Sequence, residues 1–164
     1  MNDHSAGTWD ISEGIADPER FFALLPALFP DATHLYVEGS SIAPAVRKRY
    51  EESEDSGRYL PGRQTLWPPS KVFRLEATPE LFQSLSTLAA SHAPPELLHH
   101  LSLYRGDRPL LVWHDAFANA MLLDGDLPEE TVAELAAAFD CEYGRARSRR
   151  WFWTRWFDGT DAVR

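Results

Sequence analysis

The sequence predicts an α+β fold: a single domain with a mixed or largely antiparallel sheet of about five strands, about four helices and an aromatic C-terminal segment. Three observations carry that expectation. Helix-like and strand-like segments follow the order α-β-α-loop-β-α-β-β-β-α, without the regular βα alternation of a doubly wound fold. Gly106 and Asp107 sit between two apolar runs as a two-residue turn, which forces at least one antiparallel pair. The length of 164 residues suits one core, since a chain of this size buries roughly 70% of its unfolded surface.

Residues 1–16 are small, polar and aperiodic and are expected as a flexible arm, with the domain proper over 17–144. Asp17, Pro18 and Glu19 supply a cap, a proline at the first helical position and an acidic first turn. Phe21, Phe22, Leu25 and Leu28 then recur at helical spacing, so a helix is predicted that ends by Pro30. Residues 34–38, bounded by Asp31 and Gly39, read as a strand. Ser40, Ser41 and Pro44 are expected to open a second helix through Tyr50, the serines acting as caps.

Residues 53–70 hold Gly57, Pro61, Gly62, Pro68 and Pro69 without periodicity, and a loop of that length in a compact domain usually has a task. A strand follows over 71–76. Thr78, Pro79 and Glu80 then repeat the cap, proline and acid, and Leu81, Phe82, Leu85, Leu88 and Ala89 form one apolar helical face that stops before Pro94. A helical turn over 95–100 leads into a hairpin of residues 101–105 and 108–114 around Gly106-Asp107, with 120–124 as a third strand. Asp126 and Glu129 are spaced as a capping box for a last helix over Val132, Leu135, Ala136 and Phe139, ending near Asp140.

Charge is segregated along the chain. Residues 145–164 carry six Arg against two Asp, a net +4 within a chain of −9, which leaves −13 for residues 1–144. An acidic body repels phosphate, so no specific nucleic-acid partner is expected from it. The longest apolar stretch, residues 21–30, is too short to span a bilayer. No secretory or transit signal is legible in the first nineteen residues, and Cys141 has no second cysteine to pair with, so a cytoplasmic protein is expected.

The basic segment is also aromatic. Phe152, Trp153, Trp156 and Phe157 fall on one helical face, with Arg147, Arg150 and Thr154 elsewhere, and the segment is expected to pack on the domain or on a partner, a second copy of the chain included. A peripheral membrane or nucleic-acid contact through the same residues is the alternative.

Candidate chemistry is sparse. In the long loop Tyr59, Arg63 and Trp67 combine arginine with aromatics, the residue types of binding hot spots. Ser41 at a strand-to-helix junction and His114 beside Asp115 are candidates for a small hydrolase with a cleft under the 53–70 loop. Neighbours within a strand point to opposite faces, however, so His114 and Asp115 pair only where the strand has ended. His92, His99, His100, His114 and Asp115 lack zinc-site spacing; His99 and His100 read as surface or interfacial residues, and neither metal nor cofactor is expected. The favoured reading is a small acidic protein that acts by binding another protein, inhibitor-like, rather than an enzyme. Its contacts are expected at Tyr59, Arg63 and Trp67 in the loop and at Arg150, Trp153 and Trp156 in the tail.

Overall fold

The computed structural model describes residues 7–57 and 69–146. Seven strands are formed among them: β1 (Trp9–Ile11), β2 (His34–Gly39), β3 (Lys71–Glu76), β4 (His100–Arg105), β5 (Arg108–Trp113), β6 (Met121–Leu123) and β7 (Tyr143–Arg145). They join in one sheet of order β3-β2-β4-β5-β6-β1-β7, antiparallel at every pairing. Five helices accompany it: α1 (Pro18–Leu28), α2 (Pro44–Ser53), α3 (Pro79–Ala89), α4 (Pro94–Leu97) and α5 (Glu129–Ala138).

Alternation sorts the strand side chains onto two faces. On the first face Leu35 and Val37 of β2 stand opposite Leu75 and Phe73 of β3, and opposite Leu103 and Leu101 of β4. Leu111 and Trp113 of β5, Leu123 and Met121 of β6, and Trp9 and Ile11 of β1 continue that face across the sheet. These residues share one buried cluster with Phe21, Phe22 and Leu25 of α1, Val46 and Tyr50 of α2, Leu81, Phe82 and Leu85 of α3, and Val132 and Leu135 of α5. The helices pack side by side, α1 touching both α3 and α5 and α3 touching α2. A core of this kind, about 1.5–3 kcal/mol per large apolar side chain, is what opposes the entropy of ordering the chain.

The second face differs in chemistry. Tyr36, Tyr104 and Val112 are buried yet stand outside that apolar cluster, and Glu38, His100 and Ser102 are buried with them.

Local signals account for α1 and α3. Asp17 accepts from the Arg20 backbone N–H at 3.0 Å and Thr78 from that of Leu81 at 3.1 Å, each followed by proline. Elsewhere the expectations hold in part. Among the described residues seven strands and five helices stand where about five and about four are expected, so the counts are roughly as expected, and of the two sheet types expected the antiparallel one is found. The uncounted strands are three-residue pieces at and beside one edge, β1 lying within the expected arm and β7 running from the end of the expected domain into the first residue of the expected tail.

The cap of α2 is Ala43, with no side-chain hydrogen bond, so Ser40 and Ser41 are not its caps. The α5 helix begins at Glu129 after Pro128 instead of from a box at Asp126, because Asp124 and Asp126 both bind the Arg108 guanidinium. In the hairpin Gly106 takes a left-handed φ of 58°, and a bulge between Leu103 and Tyr104 shifts the register.

Candidate functional site

Antiparallel order brings the C-terminal ends of β2 and β5 level with the N-terminal ends of β3 and β4. The polar residues with the most chemistry therefore gather at one end of four adjacent strands: Glu38 closing β2, Ser70 leading into β3, His99 and His100 opening β4, and His114 and Asp115 leaving β5. Glu38 stands opposite His100 in the register, and the His100 and His114 rings lie 5.6 Å apart, edge to face.

Glu38 is 5% exposed and Ser70 4%, and the Ser70 hydroxyl donates to the Glu38 carboxylate. Burial of this kind demands partners for the carboxylate, and a hydroxyl supplies one. His100 is 9% exposed, so the surface reading of the histidine pair does not hold for it, while His99 is half-buried. Its Nδ1 accepts the backbone N–H of Asp115 at 3.0 Å, so the neutral ring carries its hydrogen on Nε2. Burial pushes His100 below the usual histidine value; Glu38 and Asp115 pull the other way, and His99 adds to the depression. Burial does the same to His114, with the His100 ring as the next cause, and lowers it to about 4. Two neutral imidazoles beside a buried carboxylate are thus the state of this end near neutral pH.

The loop leaving β5 is held under strain. Asp115 has φ 45° and Phe117 φ 69°, both uncommon for side-chain-bearing residues. What holds them is packing and hydrogen bonding: the Phe117 ring lies 4.6 Å from Trp113 and 5.7 Å from Phe21, and the Asn119 amide donates to Asp115 Oδ2 at 3.2 Å. Since β5 stops at Trp113, Asp115 escapes strand alternation and turns back toward His100.

A second polar group lies further along the same face. Arg74 donates to the Tyr36 hydroxyl at 3.0 Å and to Asp55, whose carboxylate also lies 3.0 Å from His34 Nε2. Burial acts to raise Asp55, but Arg74 and then His34 outweigh it and hold the carboxyl below its usual range. The network ties the exit of α2 to β2 and β3. A Cβ at Gly57 would meet the Arg74 guanidinium, so the backbone crosses close against that side chain. Tyr36 and Tyr104 stack edge to face at 5.0 Å between this network and the hairpin.

Of the sequence-predicted site residues, Tyr59, Arg63, Trp67, Arg150, Trp153 and Trp156 lie outside the described residues. The hydrolase candidates are described. Ser41 is exposed, and the hydroxyl that reaches a histidine at this end is that of Ser40, 3.4 Å from His99 Nδ1. Glu38, Ser70 and His100 went unselected as site residues; the signal for Glu38 was an acid inside a β-rich run, where burial follows from sheet position. The described part of the basic segment packs on the body: the Arg145 guanidinium lies 3.5 Å from the Trp9 ring centroid and donates to the Gly7 and Gly125 carbonyls at 2.9 and 2.8 Å.

Among the described residues no group of three or more His, Cys, Asp or Glu side chains is arranged to hold a metal ion, and no helix is long and apolar enough to cross a membrane. Comparison with known protein families, with curated proteins and with solved structures gave no match. Fold and site together define the chain as an α+β protein with a helix-packed sheet whose other face carries a histidine and carboxylate row.

Proposed function

We propose that this chain acts by binding another protein, one of net positive charge, in the manner of an inhibitor. The observation that carries the reading is the acidity of the surface. The described residues hold nine Lys and Arg against twenty-two Asp and Glu, and eighteen of those carboxylate side chains are exposed. Such a field raises the encounter rate with basic surfaces and disfavours phosphate-bearing ones.

Within this reading the segment carrying Tyr59, Arg63 and Trp67 supplies the contact hot spot, with Arg150, Trp153 and Trp156 of the tail as a further clasp on the domain, on the partner or on a second copy. Support for the loop comes from its flanks. Gly57 crosses against Arg74 and Ser70 binds Glu38, so both ends of the segment start from polar groups of the second sheet face. A cytoplasmic setting belongs to the same proposal.

The hydrolase alternative draws on one observation, the two imidazoles kept neutral beside Glu38, a state suited to proton transfer. In that reading His114 is the base.

The test of the binding reading is retention of protein from a soluble extract of the source cells on the immobilised full-length chain. A basic protein is expected to be retained, and the Arg63→Ala, Trp67→Ala double variant is expected to bind it at least about tenfold more weakly with its circular dichroism unchanged. Retention of nothing, or equal retention by both chains, contradicts the assignment of the loop as the contact.

A further inference from the structure

We propose that His100 and Asp115 form a two-position, pH-operated latch on the loop that leaves β5. The Asp115 backbone N–H donates to His100 Nδ1 at 3.0 Å, and the carboxylate of the same residue lies 3.9 Å from that nitrogen. One residue therefore offers Nδ1 both a donor and an acceptor. A neutral ring takes the donor. A ring that gains a proton from solvent carries hydrogen on both nitrogens and can accept nothing, so the backbone bond breaks and the carboxylate becomes the acceptor within reach.

Loss of the backbone bond frees the Asp115 backbone, which stands at φ 45°, with Phe117 at φ 69° two residues on. Release from the left-handed region relieves backbone strain at these side-chain-bearing residues, so the loop has a direction in which to move. The movement does not stay local. Asn119 is held by Asp115 through its amide and holds Trp113 through its carbonyl, and Phe117 packs on Phe21, Phe22 and Trp113.

The titratable and charged groups that face His100 among the described residues are Glu38 from β2, His99 beside it on β4, His114 from the end of β5 and Asp115 itself. Glu38 and Asp115 favour the proton, while burial and His99 oppose it, so the latch turns on the acid side of the usual histidine range. The device is independent of what the chain binds.

A proton titration of the full-length chain by NMR from pH 8 to pH 4 tests it. The Asp115, Phe117 and Asn119 amide signals are expected to move with the same midpoint as the His100 ring. Asp115→Asn keeps the backbone donor, removes the charged acceptor, and is expected to lower that midpoint by about one unit. His100→Gln is expected to abolish the titration of the Asp115 amide. A stationary Asp115 amide while the His100 ring titrates overturns the latch, as does an unchanged midpoint in Asp115→Asn. Should the His100 variant fail to fold, the exposed Asp115 position still decides the question.

Discussion

Replacing Trp113 by alanine is expected to cost about 3–5 kcal/mol of folding stability, the range for deleting a large buried aromatic. The indole is 1% exposed, at the end of β5, with Phe21 at 5.1 Å and Phe117 at 4.6 Å between ring centroids. Its Nε1–H donates to the Asn119 carbonyl at 2.8 Å, so the same side chain closes the strained loop from inside. Two losses combine in the alanine variant: a cavity against α1, and a loop carbonyl without its donor. Trp113→Phe separates them, since it keeps much of the ring volume and loses the donor, for an expected cost of about 1–2 kcal/mol. Urea unfolding measures both, the midpoint falling in that order with an unchanged slope. A loss below about 1 kcal/mol for Trp113→Ala contradicts the central place given to this residue.

Acidification is expected to destabilise the fold between pH 6.5 and about 4, and the sign follows from His114. Its folded-state value is about 4 against 6.5 for an ordinary histidine, so in that window the unfolded chain takes up a proton that the folded chain refuses. The stability is whole above 6.5 and is lost as pH falls toward 4. The full shift corresponds to about 3 kcal/mol, and water at the partly exposed ring screens it to about 2 kcal/mol. His100 acts in the same direction, although two rings 5.6 Å apart resist being charged together. Asp55, held low by Arg74 and His34, adds a loss at still lower pH. Urea midpoints at pH 7.5, 5.5 and 4.5 check the window: the wild-type chain should lose about 2 kcal/mol more than His114→Gln over that span. Parallel losses in the two chains sink the assignment to His114.

Elements with local signals were legible in the sequence: α1 and α3 begin at Asp17 and Thr78 with proline next, and the hairpin turns at Gly106. Elements held by tertiary contact were not. Nothing in three residues such as Trp9–Ile11 shows that they add to β6 on one side and β7 on the other, because that pairing links segments more than a hundred residues apart. The serines before α2 looked like caps because serine usually caps, yet the chain uses Ala43, whose backbone N–H is bound by the Glu96 carbonyl. The site escaped for a related reason. Glu38, Ser70, His100 and His114 are separated in sequence and meet only because β3, β2, β4 and β5 lie side by side, an order that local pattern does not encode.

Association kinetics against ionic strength bear most directly on the proposal that the acidic surface draws this chain to a basic protein. With the retained partner, the association rate constant is expected to fall about tenfold or more between 20 and 500 mM salt, while the dissociation rate changes little, as screening removes long-range attraction. An association rate that ignores salt, or a retained partner of net negative charge, contradicts the account.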